Sequence, residues 1–181
     1  KPSNWAATSM QNGIWILHDY VGAIGTGSVG TSRALTHEVG HWLNLDHTWG
    51  GNNNPGNTSS CSTDDNVQDT PNCIGVTACL LNSNTCNSDN NYWGFDIRDN
   101  VENYMDYSYC SKMYTEGQRT RMRNALQVTS TGRANVISAA NLAAVGASGT
   151  PYLCKTDFSA DKSTICLGNT VQFQDESYNA V

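Results

Sequence analysis

Charge is scarce in this chain. Of 181 residues only 14% are charged, ten Lys and Arg against sixteen Asp and Glu, for a net charge of −6. No Lys/Arg cluster offsets that deficit, which argues against nucleic acid or an anionic membrane as partner. Long apolar runs are missing too, and without about 18 consecutive apolar residues there is no transmembrane helix. No pair of cysteines stands in C-x-x-C spacing, so a closed cysteine-zinc site is poorly supported. Lys1-Pro2-Ser3-Asn4 leads straight into a strand-like segment and does not read as a signal peptide. What is present is 38% hydrophobic sequence, enough for one modest globular domain plus a fragment. Abundant Asn, Ser, Thr and Gly give it the loop-rich character of an extracellular protein. Seven cysteines point to an oxidising compartment.

Histidine is also rare, at four residues, yet three of them share one string, His37-Glu38-Val39-Gly40-His41-Trp42-Leu43-Asn44-Leu45-Asp46-His47. At about 3.6 residues per turn, His37 and His41 fall on one helix face and can reach a single metal ion. Glu38 lies about a quarter-turn round, placed to touch a water on that metal rather than the metal. In a continuous helix His47 would point to the far side, roughly 9 Å further along. The chain must therefore leave the helix after His41 and swing back, and Asn44 suits the left-handed turn this requires. The string encodes a three-histidine zinc site with an open fourth position. Glu38 would serve as general base, taking the proton of the attacking water and passing it to the leaving amine.

These residues resemble the metzincin metallopeptidases, whose pattern is H-E-x-x-H-x-x-G-x-x-H followed by a methionine turn. Asn44 replaces the usual glycine, a mild departure because Asn tolerates positive φ. Asn103-Tyr104-Met105-Asp106-Tyr107 supplies the second element: the resemblance makes Met105 the turn methionine beneath the ligands and Tyr107 the residue that steadies the tetrahedral intermediate. Asp69-Thr70-Pro71, Cys110, Tyr114-Thr115 and Gln118-x-x-Arg121-Met122 are similar to one branch, the pappalysin family with its cytophagalysin-like members. The likeness covers roughly residues 30–126. It implies an α+β zincin-type catalytic domain acting on proteins or peptides, with zinc as cofactor and a secreted, extracellular or cell-surface location. It also implies the disulfides Cys61–Cys86 and Cys79–Cys110, leaving Cys73 unassigned. Cys154 and Cys166 lie further on and could pair with each other.

Gly13–Tyr20 reads as a strand, with His18 a strand residue rather than a ligand, and it or the stretch just after it is the candidate substrate-pairing edge. Val21–Thr31 is too glycine-rich for an element and is expected as loop. Thr31 or Ser32 should cap the zinc helix, which runs to about Leu43. Asn82–Asn91 is expected as polar loop. Thr115-x-x-Gln118 is a capping box, opening a helix with Met122, Leu126 and Val128 on its apolar face. Asn141–Gly149 is small and flexible in character, and Thr150-Pro151 marks a boundary. The expected domains are 1–150, a metallopeptidase domain with an incomplete upper subdomain, and 151–181, the start of a PKD-like β-sandwich. Such a fragment is too short to form a sandwich alone. The remainder of a longer precursor, or another chain, is the expected partner that completes the fold.

Two other functions compete with the endopeptidase. A zinc peptidase with a downstream glutamate as third ligand would use Glu102 or Glu116. A catalytically inactive adhesin or binding module would keep the metzincin-like body for its shape, and has no reason to retain Glu38. Calcium is a second candidate ion, because Asp64, Asp65, Asp69 and Thr70 place hard oxygen donors in one loop. The pappalysin resemblance implies structural calcium near this segment, with Asp65, Asp69 and Thr70 as the candidate ligands.

Overall fold

A computed structural model describes residues 13–87, 90–148, 158–165 and 167–175. The chain divides into two compact units, the first ending at Ile137 and the second beginning at Ser138. The first is built from helices and stapled loops. Its elements are α1 (Ala34–Trp42), the one-turn α2 (Asn90–Trp93) and α3 (Glu116–Leu126), with short 3-10 turns between. The second contains α4 (Ala139–Ala144) and an antiparallel pair, β1 (Phe158–Ala160) and β2 (Phe173–Asp175), in the register Phe158 to Asp175.

The expected strand at Gly13–Tyr20 is not formed. Ile14 and Ile16 are half-buried while Trp15 and Leu17 face out, so the alternation survives, but no neighbouring strand pairs with it among the described residues. Without a ladder the segment stays irregular and ends in a 3-10 turn at His18–Tyr20. The stretch after it is loop, as expected.

Helix α1 begins later than expected, with Arg33 at the N-cap and no side-chain cap bond. The hydroxyls expected to cap it point backward: Thr31 Oγ1 donates to the Asp19 carbonyl and Ser32 Oγ to the Val29 carbonyl. Its C-terminus follows the sequence closely. Asn44 adopts φ 75°, Leu45 N–H donates to the Gly40 carbonyl at 3.0 Å, and Asn44 N–H to the His41 carbonyl at 2.9 Å. That is the paired closure of a Schellman turn, and it reverses the chain toward His47.

Gly40 sits mid-helix, where glycine normally costs stability. A Cβ there would lie 2.3 Å from Met105 Sδ and 3.1 Å from the Tyr114 hydroxyl. The missing side chain is what lets the methionine turn pack against α1, and Met105 is fully buried as a result. Tyr114 adds a second tie, donating its hydroxyl to the Thr36 carbonyl.

The capping box at α3 forms as read, with Thr115 Oγ1 accepting from Gln118 N–H and Gln118 Oε1 from Thr115 N–H. Gln118 is fully buried because its amide also exchanges two hydrogen bonds with Asn103, at 2.9 and 3.2 Å. Asn103 Oδ1 in turn accepts from Met105 N–H at 2.8 Å, so the helix start holds the methionine turn. Val128 lies beyond the end of α3 and is exposed, while Ala125 takes the buried place on that helix.

Both implied disulfides are present, Cys61–Cys86 and Cys79–Cys110. Cys73 is a buried free thiol donating to Thr48 Oγ1. Cys154 and Cys166 lie outside the described residues. Asn141–Gly149, expected as flexible, begins inside α4, whose N-cap Ser138 accepts from Asn141 N–H. The polar loop at 82–91 likewise runs into α2.

Candidate metal centre

His37 and His41 sit one turn apart on α1, and the Schellman turn returns His47 to meet them. One ring nitrogen from each lies within 4.8 Å of the others. The second nitrogen of each ring is committed to a backbone carbonyl: His37 Nδ1 to Tyr104 at 2.7 Å, His41 Nδ1 to Leu45 at 2.8 Å, and His47 Nδ1 to Asn52 at 2.8 Å. A carbonyl can only accept, so each Nδ1 carries the hydrogen and each Nε2 presents its lone pair.

His41 Nε2 and His47 Nε2 stand 3.1 Å apart. Two lone pairs facing at that distance repel unless a cation lies between them. Burial, reinforced by the neighbouring histidines, lowers His37 to about 4 and His47 to about 3, so both rings are neutral ligands rather than imidazolium ions. The donor set therefore fits zinc: borderline nitrogen, pre-oriented by carbonyls, with no acid in the cluster among the described residues.

The methionine turn fixes this arrangement from below. Tyr104 supplies the carbonyl for His37, and the Met105 carbonyl accepts from Thr48 N–H at 3.3 Å, next to His47. Asp106 is buried and accepts from Thr48 Oγ1 and Ser108 N–H, and burial pushes its carboxyl up to about 7.

An open cleft of about 280 Å³ reaches His37 and is lined as well by Arg33, Ala34, Glu38, Tyr107, Ser108 and Ser111. Glu38 thus faces the cleft without joining the histidine cluster. The Tyr107 ring lies 5.3 Å from His37 and 4.9 Å from His47 between centroids. Partial burial, and then the Glu38 charge, raise its phenol above the ordinary tyrosine value, which keeps it a hydrogen-bond donor.

The rival third ligands are elsewhere. Glu102 pairs with Lys112 and Glu116 with Arg119. His18 is exposed and outside the cluster.

The acidic loop forms a separate feature. Asp65 is 1% exposed, and its Oδ1 accepts from Val67 N–H and Thr70 Oγ1. Its Oδ2 is buried with no partner, and burial pushes the carboxyl up to about 8. Thr70 Oγ1 lies 2.7 Å from Asp65 Oδ1 and 2.6 Å from the Val67 carbonyl, a close group of hard oxygens. Asp69 does something else. Its two oxygens accept from Thr115 Oγ1 and Gly117 N–H, docking the loop on the first turn of α3. A Cβ on Gly117 would fall 2.3 Å from Asp69 Oδ1.

Sequence reasoning did not find the three carbonyls that orient the imidazoles, because backbone groups leave no residue signature. Nor did it single out Trp49, which stacks on His47, or Gly40, although a glycine inside a helical pattern is a signal of close packing.

Two histidines of α1 and a third returned by the turn after it, held by a methionine turn and reaching a cleft that contains a carboxylate, mark the chain as a metallopeptidase fold. The family model described as pregnancy-associated plasma protein-A, peptidase M43, matches residues 7–127, and the chain belongs to that family. Among curated relatives, an extracellular metalloprotease of Verticillium alfalfae is 32% identical over 130 residues, covering 68% of this chain and 42% of that protein. One from Colletotrichum graminicola is 37% identical over 116 residues, 62% of this chain and 37% of that protein. The chain thus spans less than half the length of these relatives. Mature mirolysin of Tannerella forsythia, solved with a cleaved peptide, superposes with a TM-score of 0.50 at 34% identity, over 68% of this chain and 44% of that one.

Proposed function

We propose that this chain carries the catalytic core of a secreted zinc endopeptidase. The observation that carries the reading is the convergence of three Nε2 lone pairs, each oriented through its own Nδ1–H, at the edge of a cleft that contains Glu38. His37, His41 and His47 would hold the zinc, which when bound supplies Lewis acidity and a more acidic water. Glu38 takes the proton from the water that attacks the peptide carbonyl and delivers it to the departing amine. Tyr107 donates its phenolic hydrogen to the carbonyl oxygen as negative charge builds there. Met105 holds the floor of the site, and the wall at Ser108 and Ser111 contacts the substrate side chain. Digestion of a peptide library, with and without a zinc chelator and with zinc restored, tests this. Cleavage that stops with the chelator and returns with zinc supports it. A protein that binds zinc and cuts nothing would instead be a binding module.

Tyr107→Phe tests the tyrosine separately. Loss of one hydroxyl serving the developing oxyanion is expected to lower kcat by roughly 10²-fold with little change in KM. An unchanged kcat would make Tyr107 a packing residue.

Calcium binding at Asp65 and Thr70, with the Val67 carbonyl, is part of the same reading, supported by the buried, partnerless Asp65 Oδ2. Asp69 stays in the candidate set, with its two oxygens also accepting from the Thr115 hydroxyl and the Gly117 N–H. Calcium at about 100 times its dissociation constant would add about 2.7 kcal/mol. For a protein of this size that raises the melting temperature by roughly 5–10 °C. Asp65→Ala should abolish the rise and leave zinc content unchanged. A wild-type protein indifferent to calcium would show the loop to be ordinary surface.

Secretion is supported by the two disulfides and by the names of the relatives. Residues 1–150 are proposed as the peptidase domain. Residues 151–181 are proposed as the beginning of a PKD-like β-sandwich, for which the β1–β2 pair is the support. The exposed Trp15, Leu17, Ile24 and Val29 suit a surface covered by the rest of the precursor or by another chain.

A further inference from the structure

Trp49 follows His47 by two residues and is completely buried. Its indole lies parallel to the His47 imidazole, 3° between planes and 4.4 Å between centroids. Both rings donate to one oxygen: the Asn52 carbonyl accepts His47 Nδ1–H at 2.8 Å and Trp49 Nε1–H at 3.0 Å. On the indole's surface lies Gly75, where a Cβ would fall 2.3 Å from the ring and φ is +76°. The Trp49 ring also packs edge-on against Tyr107, at 4.9 Å and 80°.

A single hydrogen bond at Nδ1 fixes where the His47 ring is tethered but leaves it free to rock about that bond. A flat ring at stacking distance removes the rocking, and it is this face, more than the acceptor the two rings share, that holds the imidazole plane. The direction of the Nε2 lone pair is then set. We propose that Trp49 is a positioning residue for the metal centre, holding the plane of His47 and backing Tyr107, with Gly75 keeping the stack closed. This rests on the zinc reading above.

The test compares zinc dissociation constants of full-length protein carrying Trp49→Leu and Trp49→Phe, measured by competition with a chelating dye. Leu fills much of the volume without a flat face, and Phe keeps the face while losing the N–H. The Leu variant is expected to bind zinc about 10–100-fold more weakly, the range found when groups that orient metal ligands are removed. The Phe variant should stay within about threefold of wild type. The visible spectrum of the cobalt(II)-substituted protein should shift for Leu and hold for Phe. Ala125→Gly, in α3, lowers melting temperature without touching the stack and should leave zinc affinity unchanged. Gly75→Ala, which forces a methyl against the indole, should move affinity in the same direction as Leu and carries the test if the Leu variant does not fold. Leu and Phe variants that lose zinc equally, or a Leu variant within about twofold of wild type, would overturn the assignment. So would an Ala125→Gly variant that loses zinc as the Leu variant does. A wild-type protein that takes up no zinc would overturn the zinc reading itself, and this inference with it.

Discussion

Glu38→Gln is expected to keep its zinc and lose nearly all peptidase activity, with kcat/KM falling by about 10²–10⁴-fold, the usual contribution of a general base. The substitution is nearly isosteric, and Glu38 stands outside the histidine cluster, so no ligand is removed. What is lost is the acceptor: an amide cannot take the proton of the attacking water. The half-buried carboxylate faces the open cleft from the first turns of α1, next to His37, so the water it would serve lies within the same cleft as the scissile bond. Initial rates measured beside zinc content decide the matter. Activity within about tenfold of wild type would require another base.

The three-histidine cluster was legible in the sequence because its members are close in the chain and tied to helical periodicity. His37 and His41 need only the pitch of α1, and His47 needs only a turn that Asn44 can make, which it does at φ 75°. The capping box at Thr115 was legible for the same reason, being a reciprocal bond between residues three apart. The disulfides followed from resemblance rather than from spacing, since cysteine positions alone do not select a pairing.

Other features depend on partners distant in sequence. Gly13–Tyr20 has strand-like composition, but a strand exists only when another pairs with it, and the residues concerned cannot announce whether one is present. Asp69 and Asp65 look alike in the sequence, two acids of one loop, but α3, some 48 residues later, gives Asp69 two donors, the Gly117 N–H and the Thr115 hydroxyl. Asp65 was left with a buried oxygen and no donor. The start of α1 moved because the Thr31 and Ser32 hydroxyls found carbonyls behind them, at Asp19 and Val29. Local rules set what a residue can do, and the tertiary neighbours decided which option was used.

His47→Ala is expected to abolish stoichiometric zinc binding, and with it peptidase activity. The residue is 3% exposed and stacked on Trp49, so its removal takes away one of three nitrogen ligands and leaves a cavity beside the indole. Two histidines one turn apart on α1 would remain, a pair too few to hold zinc against dialysis. The variant should also lose the stabilisation that zinc gives the wild type by mass action, so that added zinc no longer raises its melting temperature. That second measurement separates loss of the ligand from general destabilisation, because a merely loosened fold would still respond to zinc. Equimolar zinc in His47→Ala would mean that another group completes the site. Glu102 and Glu116 are engaged with Lys112 and Arg119, and one of them would have to break its ion pair to reach His37 and His41.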